Sequence, residues 1–149
     1  MTNNNNDDKN IFELLHTIEK VSYQMIVKWQ QRSDNDLGIS HILVLQELLN
    51  EGESRPSDIA KTLNFTPASL THLSMKLTKQ GLIERRQAEE DKRTKYLSIT
   101  EAGKVLVEKA YNDGIEVRRE LFSHISPEEQ QAMLVIYKKL DEALTKPSN

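Results

Sequence analysis

The stretch that decides the fold runs from Ile59 to Leu77 and reads IAKTLNFTPASLTHLSMKL. Its apolar residues recur at helical spacing on both sides of a break at Asn64, a residue that tolerates the left-handed conformation in which helices often end. Thr66 followed by Pro67 is typical of a helix start, because the hydroxyl can cap the helix and proline fits its first position. Two short helices joined by a tight turn are therefore predicted, which is the arrangement of a helix-turn-helix.

The segment after Gly81 changes from helical to alternating periodicity. Ile83 to Arg86 and Thr94 to Ile99 are predicted to form two strands, joined by the polar stretch 87–92. The hairpin has little apolar surface of its own, yet it carries a cluster of four cations, which are Arg85, Arg86, Lys92 and Arg93. A charged hairpin directly after a helix-turn-helix indicates a wing, so residues 40–99 are predicted to form a winged helix-turn-helix module.

Four further helices are predicted from apolar residues at three- and four-residue steps. The first runs from Ile11 to Gln31, and the second begins after Ser40, a capping residue, and ends near Gly52. Two more follow the hairpin, over residues 101–122 and, from a capping box at Ser126, to about residue 144. The fold class is therefore mainly α, in the order of four helices, a β-hairpin wing and two helices.

Composition limits what the chain can be. At 149 residues it has the size of one domain, predicted here over residues 11–149, and it contains no cysteine, which excludes disulfides, thiolate metal sites and thiol-based redox sensing. The polar and acidic residues 1–10 favour a disordered tail over a signal peptide. No apolar run approaches the roughly 18 residues of a membrane span, so we expect a cytoplasmic protein with no membrane contact.

Charge is segregated along the chain. The window from Arg55 to Lys95 contains nine basic and five acidic residues, a local charge of +4, whereas the whole chain carries −3 and the remainder therefore −7. Binding to phosphates depends on local cations and not on the total charge. A basic module within acidic flanks is compatible with a nucleic-acid reader.

The exposed face of the second helix of the helix-turn-helix carries the first set of candidate residues. Opposite Leu70, Leu73 and Leu77, small, hydrogen-bonding or cationic side chains predominate; the residues there are Ala68, Thr71, His72, Met75, Lys76 and Lys79. Threonine and lysine can bind base edges, and an apolar group can contact the thymine methyl. This face is predicted to read the major groove, although an ordinary solvated helix face would show the same polarity.

The tip of the hairpin carries the second set. An arginine at the tip of a wing can enter a narrow minor groove, and a neighbouring carboxylate can pair with an arginine and fix its direction. Arg93 and Asp91 fit these two roles. A surface loop with incidental ion pairs is the alternative, and Glu89 and Glu90 support it because they would repel phosphates.

Residues Ile59 to Gly103 resemble the MarR family of bacterial regulators. The resemblance rests on the helix-turn-helix, on QGLIERR before the wing, on Asp91-Lys92-Arg93 at its tip and on SITEAG after it. It implies a homodimer built from residues 11–33 and 101–146, which binds pseudo-palindromic duplex DNA. It also implies repression that a small aromatic or anionic effector could release.

The resemblance also implies roles for individual residues. Pro67, Ala68, Ser69, Thr71, His72 and Lys76 would lie in or beside the major groove. Arg93 would lie in the minor groove, oriented by Asp91, and Arg86, Lys92 and Lys95 would contact phosphates. With Arg55, where the basic window begins, and the capping Thr66, the predicted DNA-binding set is Arg55, Thr66, Pro67, Ala68, Ser69, Thr71, His72, Lys76, Arg86, Asp91, Lys92, Arg93 and Lys95.

Other functions have weaker support. Tyr23, Trp29 and Tyr111 could line an effector pocket, although aromatic residues are more often core. The four histidines lack the spacing of a metal site, no cofactor is expected, and no catalytic motif occurs, so the chain is not expected to be an enzyme. The alternative from another class is a winged-helix protein-interaction module or antirepressor that does not bind DNA.

Overall fold

The structure, a computed structural model, describes residues 4–146, with side chains from Asn6 onward. Its elements follow in the order α1 Asn4–Arg32, α2 Ile39–Glu51, α3 Pro56–Leu63, α4 Pro67–Lys79, β1 Ile83–Gln87, β2 Lys95–Ile99, α5 Glu101–Phe122 and α6 Pro127–Thr145. This order confirms the predicted fold class. The chain divides into two compact units, one ending at Gly114 and one beginning at Ile115.

The start of α1 differs from the sequence prediction. The expected disordered tail over residues 1–10 is wrong for residues 4–10, which already belong to α1, whereas residues 1–3 lie outside the described part of the chain. Adding residues to the end of an existing helix requires no new nucleation. Asp7 lies in the first turn, where a carboxylate interacts favourably with the helix dipole. The polar composition of this segment therefore did not prevent helix formation.

The start of α2 also differs. The predicted cap Ser40 lies inside the helix, and the residue that precedes the helix is Gly38. The N–H of Gly38 donates a hydrogen bond to Nδ1 of His41, at 3.2 Å. The ring nitrogen of His41, the third residue of α2, thus takes the role that a Glu or Gln side chain has in a capping box, where it binds the N–H of the residue before the helix.

The turn between α3 and α4 confirms the prediction from the sequence. Asn64 adopts the left-handed conformation, with φ 55° and ψ 41°. The N–H of Phe65 donates to the carbonyl of Ala60 at 2.8 Å, which closes the end of α3. Thr66 then caps α4, since its Oγ1 accepts a hydrogen bond from the N–H of Ser69 at 3.1 Å, and Pro67 occupies the first position of the helix. Local hydrogen bonds therefore fix where α4 begins.

The core of the first unit lies beneath α2, α3, α4 and the hairpin. Its largest fully buried apolar side chains are Val44, Leu45, Leu48, Ile59, Leu70, Leu77, Ile83 and Leu97. Burying one such leucine or isoleucine contributes about 1.5–3 kcal/mol. Because Leu70 and Leu77 place one face of α4 in this core, the opposite face is exposed.

The hairpin is fixed to the module at its inner end. β1 and β2 are antiparallel, and Ile83 is paired with Ile99. The backbone of Ser54 adds a third pairing, because its N–H donates to the carbonyl of Leu97 at 3.0 Å and its carbonyl accepts from the N–H of Leu97 at 2.9 Å. In β1 only Ile83 is buried in the core, and the other four residues of this strand are exposed.

The first turn of α5 passes very close to the inner end of the hairpin. A Cβ atom at Gly103 would lie 2.3 Å from the carbonyl oxygen of Leu82 and 2.7 Å from Cγ1 of Ile99. Thr100 holds this approach, because its Oγ1 donates to the carbonyl of Gly81 at 2.7 Å and accepts from the N–H of Gly103 at 3.1 Å. Glycine is therefore required at position 103 by space and not by backbone conformation.

The second unit contains the end of α5 and the whole of α6. The predicted capping box is confirmed: Ser126 Oγ accepts from the N–H of Glu129 at 3.2 Å, and the Glu129 carboxylate accepts from the N–H of Ser126 at 2.8 Å. No side chain of α6 is buried. Its large exposed apolar residues are Met133, Leu134, Val135, Ile136, Tyr137, Leu140 and Leu144.

The first helix shows a similar exposure in the other unit, where Ile11, Phe12, Leu14 and Leu15 are all exposed. Among the helices within residues 4–146, none combines the length and the apolar character needed to cross a membrane.

Gly103→Ala is expected to lower the free energy of unfolding by about 1–3 kcal/mol, because the added methyl overlaps the Leu82 carbonyl and forces α5 away from the hairpin. Urea denaturation followed by circular dichroism measures this change. Glu108→Ala, at an exposed position of the same helix, is the control and should be nearly neutral. Equal stability of both variants and the wild type would contradict the close approach.

Candidate nucleic-acid interface

The N-terminal half of α4 forms an exposed polar surface. Pro67, Ala68, Ser69, Thr71 and His72 are all exposed, so five of the predicted DNA-contacting residues lie on one surface. The Thr71 hydroxyl donates to the carbonyl of Pro67 at 2.9 Å, and the Ser69 hydroxyl accepts from Thr66 Oγ1 at 2.9 Å. Both hydroxyls therefore have fixed directions and retain lone pairs that can accept a further hydrogen bond.

Met75 extends this surface by one turn. Its side chain is 61% exposed and follows Thr71 by four residues, so the two lie on the same side of the helix. A flexible apolar side chain of this kind adapts its shape to the group that it contacts. It suits the methyl group of thymine and also an apolar protein surface.

Lys76 does not point away from the protein. Its Nζ lies 2.9 Å from Oδ2 of Asp36 and donates to the backbone carbonyl of Asp36 at 2.9 Å. Gln80 Nε2 donates to the other carboxylate oxygen at 2.9 Å. These hydrogen bonds, first of all the one from Lys76, hold the pKa of Asp36 below its usual value. The ammonium group of Lys76 is thus bound to the linker between α1 and α2. The sequence had suggested that it lies in or beside the major groove.

His41 lies close to this pair. Burial lowers the pKa of His41, the charges of Lys76 and His72 lower it further, and the charge of Asp36 acts in the opposite direction. Its Nδ1 accepts the hydrogen bond from Gly38, which a proton on the same nitrogen would remove. The neutral imidazole is therefore the form that fits the start of α2.

The tip of the wing is organised by Asp91. One carboxylate oxygen accepts from the backbone N–H of Arg93 at 2.9 Å, and the other accepts from the Thr94 hydroxyl at 3.3 Å. The backbone N–H of Thr94 donates to the carbonyl of Asp91 at 2.9 Å and closes the turn. Asp91 therefore acts on the backbone of Arg93, whereas the sequence suggested a pair with the guanidinium. Lys92 and Arg93 are exposed at this tip.

The base of the wing carries a second cluster. Arg86 binds Glu53 through two hydrogen bonds, Nε to Oε2 at 3.1 Å and Nη2 to Oε1 at 2.5 Å. Its guanidinium lies 5.0 Å from the centre of the Tyr96 ring, and that of Arg55 lies 5.7 Å from the same ring. The hydrogen bonds from Arg86 hold the pKa of Glu53 below its usual value. Lys95, the neighbour of Tyr96, is exposed at the start of β2.

The three aromatic residues predicted to line an effector pocket have different surroundings. Tyr23 and Tyr111 are exposed. Trp29 is half-buried, and its indole N–H donates to the carbonyl of Ala110 at 3.0 Å, which brings it next to the α5 residue that precedes Tyr111. Groups of three or more potential metal ligands are absent from residues 4–146.

Comparison with known proteins identifies the module. Residues 37–95 match the model of the MarR family. They form a MarR-family domain. The predicted resemblance to this family is therefore confirmed for the module, and the winged helix-turn-helix described above is the part of the chain that carries the match.

Curated relatives of the MarR-family domain are named as transcriptional regulators. The uncharacterized HTH-type transcriptional regulator YfiV of Bacillus subtilis is 33% identical over 99 residues, 66% of this chain and 61% of that protein. The HTH-type transcriptional regulator PapX of Escherichia coli is 31% identical over 107 residues, 69% of this chain and 65% of that protein. The matched part of the chain thus spans less than two thirds of either relative.

The fold agrees with solved structures over a longer stretch. A MarR family protein from Bacillus stearothermophilus superposes with a TM-score of 0.75 at 17% identity, covering 93% of this chain and 98% of that one. Helices outside residues 37–95 therefore follow the same architecture.

Sequence reasoning missed three residues that shape this interface. Glu53 and Asp36 each bind a predicted DNA-contacting cation, and Tyr96 lies beside two arginines. Cross-strand pairing of Arg86 with Tyr96 follows from the hairpin register, so Tyr96 could have been found. No sequence signal indicates the two carboxylates, because they are 33 and 40 residues from their partners.

The fold should lose stability at mildly acidic pH because of His41. Its pKa is lower in the folded state than its ordinary value of 6.5, so the folded protein binds fewer protons there than the unfolded chain. Its contribution is complete above about pH 6.5 and is lost as the pH falls below that value. In urea denaturation, the free energy of unfolding should fall less between about pH 7.5 and about pH 5.5 in His41→Gln than in the wild type.

His124→Gln is the matched control, since it removes an exposed histidine. Equal pH dependence of His41→Gln and the wild type would show that His41 does not favour the neutral form.

Proposed function

We propose that the protein is a cytoplasmic, DNA-binding transcriptional regulator and not an enzyme, and that it acts as a homodimeric repressor of a pseudo-palindromic operator. One observation carries the proposal: the polar N-terminal half of α4 and the cationic tip of the wing are both exposed on one MarR-family domain. The curated relatives named as transcriptional regulators support the same class of function.

The first half of α4 is the part proposed to enter the major groove. Recognition helices contact bases mainly through their N-terminal residues, and here these are small or short, from Pro67 to Thr71. Short side chains let the backbone approach the bases closely, and the fixed hydroxyls of Ser69 and Thr71 can accept from base amino groups. His72 and Met75 would contribute the longer contacts.

The wing is proposed to bind the adjacent minor groove. Arg93 would insert, because the turn closed by Asp91 presents its side chain at the tip and because narrow minor grooves attract arginine. Lys92 and Lys95, both exposed, would contact phosphates. Glu89 and Glu90 are exposed as well. Because carboxylates are repelled by phosphates, the wing would have to bind with its cationic side chains facing the duplex and these two glutamates facing away from it.

A homodimer is proposed because large apolar surfaces are exposed. Of the seven exposed apolar residues of α6, a helix with no buried side chain, five follow one face at three- and four-residue steps, namely Met133, Ile136, Tyr137, Leu140 and Leu144. The N-terminal half of α1 exposes four more. Contiguous apolar surface of this kind marks interaction sites in most proteins. A second copy would bury these residues and present two wings to a two-fold symmetric site.

Release by a small aromatic or anionic effector is part of the proposal. Tyr23 and Tyr111 are exposed and Trp29 lies beside α5, so aromatic rings are available for stacking with such a ligand.

A protein-interaction module or antirepressor is the second candidate. The exposed Met75 and the two glutamates of the wing favour it, since apolar and acidic groups suit a protein surface better than a phosphate backbone.

Selection of bound duplexes from a random pool separates the two candidates. The proposal expects an enriched motif with two symmetric half-sites about 10 base pairs apart. Failure to enrich any sequence would favour the protein-interaction module, and an asymmetric motif would contradict the two-fold arrangement.

Arg93→Ala should weaken binding to the enriched duplex by about 1–3 kcal/mol, because the minor-groove contact is lost. The slope of log affinity against log salt concentration should also become less steep by about 0.9, the value for one lost phosphate contact. Fluorescence anisotropy over a range of salt concentrations measures both quantities. Lys20→Ala, which removes a cation from α1 outside the winged module, should leave both unchanged. A variant with the wild-type affinity and slope would mean that the tip of the wing does not contact DNA.

A further inference from the structure

The cluster at the base of the wing has a definite geometry. Glu53 and Arg55 flank Ser54, whose backbone pairs with Leu97 of β2. Alternate residues of an extended segment point to the same side, so the side chains of Glu53 and Arg55 share one face. Arg86 and Tyr96 are cross-strand partners in the hairpin and therefore also share a face. The contacts of these four side chains with each other show that the two faces are the same one.

The position of this cluster along the hairpin matters. The inner end of the hairpin is held by the core through Ile83 and Leu97, whereas the other four residues of β1 are exposed. Arg86 is the last residue but one of β1. Its two hydrogen bonds to Glu53 connect the outer half of the hairpin to the segment between α2 and α3.

Two of the five N–H donors of Arg86 are used by its contact with Glu53. Two of its nitrogens face the Glu53 carboxylate, and its Cζ lies over the Tyr96 ring, 5.0 Å from the ring centre. A phosphate would have to compete with a bidentate carboxylate for these donors, and both anions form the strong, charge-assisted class of hydrogen bond with arginine. By contrast, Arg55 has one long hydrogen bond of 3.5 Å, to the Tyr96 hydroxyl.

We propose that Glu53 and Arg86, stacked on Tyr96, form a strut that fixes the direction of the wing, and that Arg86 is a positioning residue for Arg93 and not a phosphate ligand. The part that concerns Arg93 rests on the proposed DNA-binding function. The strut itself does not, because it is a property of the protein alone.

The first test needs no DNA. The chain has no cysteine, so Glu90→Cys allows a single nitroxide label at the tip of the wing. Electron paramagnetic resonance should show a more mobile label when Glu53→Ala or Arg86→Ala is added. The charge swap Glu53→Arg with Arg86→Glu should restore part of the immobilisation. Unchanged spectra in both single variants would overturn the strut.

Lys104→Ala is the matched control for this test. It breaks an ion pair with Glu101 at 2.7 Å on α5 and removes the same charge as Arg86→Ala. A label that becomes equally mobile in Lys104→Ala would mean that the effect is not specific to the strut, and it would overturn the proposal. Thermal unfolding of each variant checks that the fold is retained.

The second test uses a fluorescein-labelled duplex of about 30 base pairs with mixed sequence, at several salt concentrations. Arg86→Ala should weaken binding about twofold to fivefold, the scale of one exposed ion pair, with an unchanged salt slope. Glu53→Ala should also weaken binding, although it removes a negative charge. A salt slope less steep by about 0.9 in Arg86→Ala would identify a phosphate ligand, and tighter binding by Glu53→Ala would show that Glu53 only masks Arg86.

The two tests fail separately. If the wild-type protein does not bind the duplex while the label still responds to the strut variants, the proposed DNA-binding function is wrong and the strut stands. If the protein binds DNA while the label does not respond, the strut is wrong and the function stands.

Discussion

Burial of Leu70 and Leu77 beneath α4 is the constraint on which the rest of the structure depends. Both side chains lie in the core with Leu45, Leu48 and Ile59, so the rotation of α4 about its axis is fixed. The cap at Thr66 fixes where the helix begins. Together these two constraints decide which side chains are exposed at its first turns, and that surface is the one available to a partner.

The cations of the module fall into two groups that net charge does not distinguish. Lys76 and Arg86 are each bound by a carboxylate from a loop, Asp36 and Glu53 respectively. Such side chains have a structural partner before any ligand arrives. Lys92 and Arg93 lie instead at an exposed tip. Asp36 and Glu53 lie outside the window from Arg55 to Lys95, so its local charge of +4 leaves out the two carboxylates that pair with Lys76 and Arg86. The arrangement of the acidic residues therefore carries more information than the total.

Local signals explain which features could be predicted from the sequence. The left-handed Asn64, the Thr66 cap and the Ser126 capping box depend on residues within a few positions of each other, and all three are confirmed. The element order was predictable for the same reason, since periodicity is local. The start of α1 was not, because the limits of a helix in a polar segment depend on propagation from its apolar part.

Long-range partners explain what the sequence could not show. The roles of Asp36 and Glu53 depend on contacts that the folded chain makes between distant segments. The contact of His41 with the N–H of Gly38 has the spacing of a capping box, but histidine stands where the common pattern has Glu or Gln. Asp91 was recognised as an orienting residue, but its partner is a backbone N–H, which sequence cannot distinguish from the neighbouring guanidinium.

The linker between α1 and α2 contacts both α4 and α5 within the first unit. Asp36 binds Lys76 and Gln80 of α4, and two residues earlier Asp34 lies 3.1 Å from Lys109 of α5. The exposed ion pairs that join them are weak individually, so the linkage is adjustable. The linker therefore connects α4 to α5 through exposed ion pairs, one to Lys76 and one to Lys109.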